Sequence, residues 1–269
     1  MYPRTHHLDD QPILDAHKVS ARYNGRIALE EISFHLHAGE RVAVVGPNGA
    51  GKSTLFKVIA GVLQPSEGEV TIYGSVPHGH VCIAYIPQRS QVDWSFPVSV
   101  ADVVMMGRIA KLGPLGWPKR RDWALVNQAL ETVDLQELAK RQISELSGGQ
   151  QQRMFIARAL AQEAELMLLD EPLSGLDLPS QESILALLDT LRGQNVTVMV
   201  ATHDLEQAAQ HFDRIMLLNR RLIGFGTARH VLRTEKLVQA YGGRFKASGQ
   251  GIMLFDDCCG EGEELDHAR

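Results

Sequence analysis

The chain has 269 residues, of which 44% are hydrophobic and 22% are charged, the proportions of an ordinary globular protein with a sizeable core. Its 27 Lys and Arg are outnumbered by 32 Asp and Glu, and the resulting net charge of −5 argues against a nucleic-acid-binding surface. Three cysteines are too few for a disulfide framework. Without a bilayer-spanning apolar run or a signal-peptide pattern, the composition predicts an intracellular protein that does not itself span a membrane.

Strand patterns dominate both ends of the chain. Four short, mostly apolar runs have the pattern of strands buried inside a parallel sheet, and they are residues 41–45, 81–86, 166–169 and 196–201. Asn24-Gly25 predicts a hairpin turn between strands at 13–19 and 27–36, and two more short strands are expected at 215–218 and 222–225. Helical spacing follows three of the buried runs, at Leu55, Val58, Ile59 and Val62, at Ile184, Leu187, Leu188 and Leu191, and at 205–211.

The middle of the chain lacks strand patterns. Ser99 and Asp102 form a capping pair that predicts a helix through Met106, and further helices are expected near 123–133 and 150–162. Strands alternating with helices on both sides of a helical insert predict an α/β fold with a mixed sheet and antiparallel N-terminal strands. The predicted divisions are an α/β core at 1–87 and 159–240, a helical subdomain at 88–158, and an acidic, flexible tail at 241–269.

The strongest chemical motif lies between the run 41–45 and the helix that follows it. The motif G-x-x-x-x-G-K-[ST] is matched by Gly46-Pro47-Asn48-Gly49-Ala50-Gly51-Lys52-Ser53-Thr54. Its glycines let backbone N–H groups surround phosphates, and the helix dipole adds positive potential. Lys52 is expected to reach the β- and γ-phosphates, and the Ser53 hydroxyl to complete a Mg²⁺ shell. These residues predict a nucleotide-phosphate site of the P-loop class.

Two carboxylates, Asp170 and Glu171, directly follow the run 166–169. A strand that ends in Asp is how P-loop proteins deliver a carboxylate that orients the metal, so Asp170 is expected to hold Mg²⁺. Glu171 would then orient or deprotonate the attacking water. An acidic turn after a strand is common, and the preceding P-loop is what favours the catalytic interpretation.

A second glycine motif identifies the kind of P-loop protein. Ser147-Gly148-Gly149-Gln150, preceded by Leu146, opens a helix whose N-terminus can bind an anion. This segment closely resembles the signature of ATP-binding cassette (ABC) proteins. The sequence contains no Asn/Thr-Lys-x-Asp element of the kind that reads guanine. The resemblance therefore implies an ATP hydrolase rather than a GTPase or a small kinase.

Other residues resemble the ABC pattern one by one. In that pattern Tyr23 would stack on adenine, Gln88 would sense Mg²⁺ and the transmembrane partner, and His203 would contact the γ-phosphate. The loop Ser174-Gly175-Leu176-Asp177 would couple two ATP sites. The resemblance covers about residues 13–240 and implies that two copies of the chain sandwich two ATP molecules head to tail, since each chain has one P-loop and one signature. It also implies permease subunits bound to the helical insert on the cytoplasmic face of the plasma membrane.

A finer resemblance concerns the transported substrate. The segment from Tyr85 to Arg108, with Leu115-Gly116-Trp117 downstream, looks like that of ATPases from manganese, zinc and iron importers. Manganese is the first expectation, then zinc, then iron, with a separate extracytoplasmic binding protein selecting the metal. Siderophore and haem importers share parts of this segment and remain an alternative. A soluble ABC ATPase acting on ribosomes or DNA is less favoured, because there is one cassette and no coiled-coil heptads.

The C-terminal tail contains several groups that can bind metals. Asp256, Asp257, Cys258, Cys259 and His267 lie among further acidic residues. Adjacent cysteines lack the C-x₂-C spacing of common structural zinc sites. A solvated acidic tail is the favoured interpretation, and metal sensing is retained as a hypothesis.

Overall fold

The computed structural model describes residues 11–23, 25–77, 82–113, 116–242, 245–248 and 251–254. Its central element is a six-stranded sheet in the order β5-β6-β7-β3-β8-β9. The strands are β3 (Arg41–Val45), β5 (Ile83–Ile86), β6 (Leu166–Asp170), β7 (Thr197–Thr202), β8 (Arg214–Asn219) and β9 (Arg221–Gly226). All are parallel except β9, which pairs antiparallel with β8 at one edge. The parallel strands consequently end at one common edge of the sheet.

A second, antiparallel sheet contains the N-terminal strands, in the order β2-β1-β4. Its members are β1 (Leu14–Tyr23), β2 (Arg26–Leu36) and β4 (Glu67–Ile72). Helix α1 (Lys52–Ile59) packs in the same hydrophobic cluster, where its Leu55 and Phe56 are fully buried. The sequence prediction missed β4 because Glu67, Gly68 and Glu69 are exposed and break the apolar pattern.

The middle of the chain folds into helices. These are α2 (Val100–Met106), α3 (Ile109–Leu112), α4 (Arg120–Thr132) and α5 (Gly148–Ala161), with short 3₁₀ turns at Arg89–Gln91, Gln136–Leu138 and Ile143–Glu145. The predicted capping box is present, since Ser99 Oγ accepts from the Asp102 N–H and Asp102 accepts from the Ser99 N–H. Buried Val104, Val126 and Met154 share one hydrophobic cluster with Met167 and Leu169 of β6. One continuous core therefore joins the helices to the sheet.

Four more helices follow β6 in the chain. They are α6 (Leu178–Gly193), α7 (Leu205–His211), α8 (Ala228–Val231) and α9 (Thr234–Tyr241). The four apolar residues predicted to share a face of α6 are all buried. No helix in the part of the chain that the structure describes is long and apolar enough to cross a bilayer.

Two local expectations differ from the structure. Val62 was predicted on the face of α1, but the helix ends at Ile59, and Val62 is 67% exposed, because Gly61 adopts a left-handed φ of 70°. Within the predicted flexible tail, β10 (Phe245–Ser248) and β11 (Gly251–Leu254) pair antiparallel. The apolar run 252–254 favours a strand, but the acidic composition of the residues after it led to the prediction of a flexible tail. The possible metal ligands from Asp256 onward lie outside the described residues.

The predicted α/β class is confirmed, with the N-terminal strands in a sheet of their own. The sheet of the core is mixed because of β9 alone. The boundaries of the predicted subdomains stay predictions.

Candidate functional site

Four neighbouring strands of the six-stranded sheet end in candidate residues. The P-loop follows β3, His203 follows β7, Asp170 ends β6, and Gln88 comes shortly after β5. Because these strands are adjacent and parallel, their carboxyl ends bring sequence-distant side chains to one edge. Ligand sites of open α/β sheets form at this edge.

The P-loop backbone takes a shape that only glycine permits at two positions. At Gly46, with φ of 158°, an added Cβ would lie 2.0 Å from the Leu218 carbonyl oxygen. At Gly51, with φ of 98°, it would lie 2.5 Å from the Ala28 carbonyl oxygen. The loop is thus pressed against β8 and β2 before α1 begins. The first backbone bond of α1 runs from the Leu55 N–H to the Gly51 oxygen. The N–H groups before it have no intrahelical acceptor, which makes a helix N-terminus able to bind an anion.

Lys52 is buried inside this loop, with 6% of its surface exposed. Its Nζ donates to the carbonyl oxygens of Gly46 at 2.7 Å and Pro47 at 3.3 Å. Burial lowers the pKa of Lys52, and the negative charges of Glu171 and Asp170 oppose that shift. The lysine therefore lies close enough to the two carboxylates that follow β6 to feel their charge.

The two carboxylates have different surroundings. Asp170 is 2% exposed, and its Oδ2 accepts a bond from the Tyr85 hydroxyl at 3.4 Å. Burial and the charge of Asp170 together raise the pKa of Tyr85, so the tyrosine remains a donor. Glu171 has a left-handed φ of 50°, and its Oε2 accepts from Gln88 Nε2 at 3.1 Å. The structure thus brings Gln88 and Glu171 into direct contact.

A cavity of about 160 Å³ lies beside Glu171, lined also by His203, Ser174 and Gly175. Two glutamines that the sequence analysis missed hold its walls together. Gln181 Nε2 donates to the Leu176 carbonyl at 3.0 Å, and Gln207 Nε2 donates to Gln181 Oε1 at 3.5 Å. Both glutamines lie near the starts of helices, and no local sequence signal distinguishes them from ordinary helical glutamines.

The residues of the signature motif lie at the N-terminus of α5. Ser147 is the N-cap: its Oγ accepts from the Gln150 N–H, while Gln150 Oε1 accepts from the Ser147 N–H at 2.9 Å. A Cβ added to Gly148 would lie 2.4 Å from Arg89 Nη1, and one added to Gly149 would lie 2.7 Å from Ser180 Oγ. The motif is therefore packed between the segment after β5 and the start of α6.

Arg89 links the segment that contains Gln88 to α5, the helix that begins at the signature motif. Its Nε donates to the buried Gln151 Oε1 at 2.7 Å, and its guanidinium lies 6.0 Å from the centre of the Trp94 ring. Trp94 in turn meets Phe155 of α5 edge to face at 5.6 Å. Arg89 and Trp94 lie within the segment 85–108 that resembles metal-importer ATPases, and no local sequence signal indicates their contacts with α5.

Two other candidates sit apart from the group around Lys52 and Glu171. Tyr23 ends β1 with 58% of its surface exposed, on the hairpin whose second strand carries Ala28 beside Gly51. Asp177 is exposed at the N-cap of α6, where its side chain makes no capping bond. Among the remaining P-loop positions, Asn48 and Gly49 are exposed, Ala50 is buried, and Ser53 and Thr54 are half-buried at the start of α1.

Known proteins agree with this arrangement. The family described as ABC transporter matches residues 29–174. The manganese transport system ATP-binding protein MntB of Bacillus subtilis is 44% identical over 84% of this chain and 91% of its own. The zinc transport system ATP-binding protein TroB of Treponema pallidum is also 44% identical, over 84% of this chain and 85% of its own. A metal-chelate type ABC transporter solved in an inward-facing conformation superposes with a TM-score of 0.77 at 32% identity, covering 90% of this chain and 96% of that one.

The matched segment contains the P-loop, the signature and both carboxylates after β6. These are the residues that the fold assembles at the sheet edge and at the start of α5. The chain belongs to the ABC transporter family.

Proposed function

We propose that this chain is the ATP-hydrolysing subunit of an importer for a divalent metal ion, manganese first and zinc or iron next. The observation that carries the proposal is the convergence of Lys52, Gln88, Glu171 and His203 after four adjacent parallel strands. Identity of 44% with ATP-binding proteins of manganese and zinc transport systems supports the choice of substrate class.

The P-loop fits the phosphates of ATP. Side chains larger than hydrogen are excluded at Gly46 and Gly51, so the backbone can approach a ligand closely along residues 46–54. Lys52 is buried where it can exchange its bonds to loop carbonyls for bonds to phosphate oxygens. In this proposal the exposed ring of Tyr23 stacks on the adenine.

The donors beside the loop fit Mg²⁺, which takes hard oxygen ligands. We assign the Ser53 hydroxyl, the Asp170 carboxylate and Gln88 Oε1 to hold it, since Gln88 Nε2 is already engaged with Glu171. When bound, Mg²⁺ neutralises charge that develops on the phosphate oxygens.

Glu171 is the proposed general base for the attacking water. Its carboxylate accepts a bond from Gln88, and the residue lines the cavity that it shares with His203. His203, on the other wall, would donate to the γ-phosphate. In this proposal the general base therefore follows β6, and the residue that contacts the phosphate follows β7.

We infer that hydrolysis requires two chains arranged head to tail. Each chain supplies one P-loop and one signature, and Ser147 at the capped N-terminus of α5 would bind the γ-phosphate held by the other chain. Gly148, Gly149 and Gln150 would shape that contact, and the loop ending at Asp177 would join the two sites. Closing on ATP and opening after hydrolysis is then a two-state motion that can drive a partner.

The partners that follow are permease subunits docked on the helical subdomain at 88–158. An extracytoplasmic binding protein would deliver the metal through the permease, with this chain on the cytoplasmic face of the membrane. The α/β core at 1–87 and 159–240 would bind the nucleotide. The tail at 241–269 would belong to neither the core nor the helical subdomain.

Metal accumulation in a deletion strain tests this function. We expect cellular manganese, zinc or iron to fall when the chain is absent, and to recover with the wild-type chain but not with Glu171→Gln. Unchanged contents of all three metals would contradict the proposal. Loss of siderophore or haem uptake instead would favour the alternative importer class.

A further inference from the structure

A cationic pocket of about 480 Å³ lies on the helical part of the chain, lined by residues other than those assigned to ATP. Its cationic lining residues are Arg108, Lys111, Lys119 and Arg121, and its acidic ones are Asp122 and Glu163. Trp117 forms part of the rim. The pocket sits where α3, the start of α4 and the turn after α5 meet.

Both carboxylates of the pocket are already engaged. Asp122 accepts from Arg108 Nε at 3.1 Å and from the Lys119 backbone N–H at 2.9 Å. Glu163 accepts from Arg108 Nη1 at 2.7 Å and from Lys111. Arg108, 4% exposed, is held rigidly between them and also donates to the Ala161 carbonyl at 2.8 Å. The floor of the pocket is therefore a preformed, fully bonded ionic cluster.

The mouth of the pocket carries positive charge that no described carboxylate pairs with. The side chains of Lys119 and Arg121 are exposed, and neither forms an ion pair within the described ranges. Residues 108–121 contain five Lys or Arg and no Asp or Glu, in a chain whose net charge is −5. Such a local reversal of sign attracts an anionic ligand.

Exposed apolar side chains lie next to this charge. Trp117 is 85% exposed and Ile109 is 57% exposed, among the most exposed large apolar residues of the described chain. Trp beside Lys and Arg is typical of protein surfaces that sit at the membrane–water interface, where the ring enters the headgroup layer and the cations meet lipid phosphates. A free phosphate or nucleotide would use the charges but would leave Trp117 and Ile109 in water.

We propose that this pocket binds the phosphate of an anionic lipid headgroup, seating the helical part of the chain on the membrane surface. Lys119 and Arg121 contact the phosphate, the bonded cluster around Arg108 forms the rigid floor beneath it, and Trp117 and Ile109 enter the interface. The lipid-binding proposal depends on the proposed function in one respect: the proposed function places the chain beside a membrane.

Sedimentation of the purified full chain with vesicles tests it. The vesicles contain phosphatidylcholine alone, or phosphatidylcholine with about a quarter of phosphatidylglycerol to supply negative surface charge, at two salt concentrations. The pocket variant is Lys119→Gln with Arg121→Gln. The matched control is Arg229→Gln with Arg233→Gln, two exposed cations near α8 and α9 whose loss changes the net charge equally.

We expect the wild-type chain to bind the vesicles that contain phosphatidylglycerol but not those of phosphatidylcholine alone, and we expect salt to weaken this binding. Binding should fall roughly tenfold or more in the pocket variant and stay unchanged in the control. Trp117→Ala should also weaken binding, while ATPase activity stays unchanged in all three variants. Equal binding to both vesicle types, or equal loss in the control, would overturn the proposal. The proposal would also be overturned if the pocket variant still bound vesicles but no longer co-purified with permease subunits. That result would identify a protein as the occupant of the pocket.

The two proposals fail separately. Normal metal accumulation with no vesicle binding removes only the lipid site. Vesicle binding by a chain whose loss leaves metal contents unchanged removes only the proposed function.

Discussion

The carboxyl edge of the six-stranded sheet and the N-terminus of α5 carry the two groups of candidate residues, and the chain builds them differently. At the sheet edge, Lys52, Gln88, Glu171 and His203 come from four separate segments, and parallel pairing of β3, β5, β6 and β7 brings them together. At α5, Ser147 to Gln150 are consecutive and cap their own helix. Within one chain the first group combines a carboxylate, a lysine and a polar partner, whereas the second group consists of a helix N-terminus. The difference supports a site that is completed by a second copy.

The largest expected effect comes from removing the base at the sheet edge. Glu171→Gln keeps an oxygen that can accept from Gln88, so the fold and nucleotide affinity should hold while turnover falls by roughly 10²- to 10⁴-fold. ATPase rate and nucleotide affinity, measured on the same preparation, check this. A turnover within a factor of two of wild type would remove Glu171 from its role.

The next effect is expected at the N-terminus of α5, where the loss of hydrolysis can be rescued by a variant of the sheet edge. Ser147→Arg and Lys52→Ala should each abolish cooperative hydrolysis, but mixing the two proteins should restore about a quarter of wild-type activity, because mixed dimers have one intact site. Nucleotide affinity of Ser147→Arg should remain normal. If the mixture stays as inactive as its parts, the site does not combine two chains.

A moderate effect is expected where the two groups are joined. Arg89→Ala removes the bond to Gln151 and the contact with Trp94, so we expect turnover to fall about fivefold, with a lower Hill coefficient for ATP. Gln151→Ala should give a similar loss, and the double variant little more, because both changes break one link. Additive losses in the double variant would show that the two residues act separately.

The smallest effect is expected at the hydroxyl that faces Asp170. Tyr85→Phe removes a long bond of 3.4 Å and leaves the ring in place, so turnover should change less than about threefold. A much larger loss, with unchanged stability in urea, would mean that Tyr85 contributes to the reaction directly.

Local patterns predicted most of the elements near the candidate site. The strands β3, β6 and β7 are mostly apolar in sequence and buried along their whole length, and the caps of α2 and α5 lie within a few residues of their partners. β4 was missed because it is mostly exposed and depends on pairing with β1. Arg89, Gln181 and Gln207 were missed as structural contacts because their partners are far away in sequence.

The sequence by itself determined the chemistry of each segment: a loop that can enclose phosphates, carboxylates at the end of a buried strand, and a capped helix N-terminus. Each of these depends on residues within about ten positions of one another, so local backbone geometry suffices. Only the tertiary structure decided which segments meet. Strand order placed Gln88 against Glu171, and packing of Trp94 on Phe155 tied the Gln88 segment to α5. It also gathered Arg108, Asp122 and Glu163 into one ionic cluster beneath an exposed tryptophan. Such contacts come from the burial of whole faces of helices and strands, which no single segment encodes.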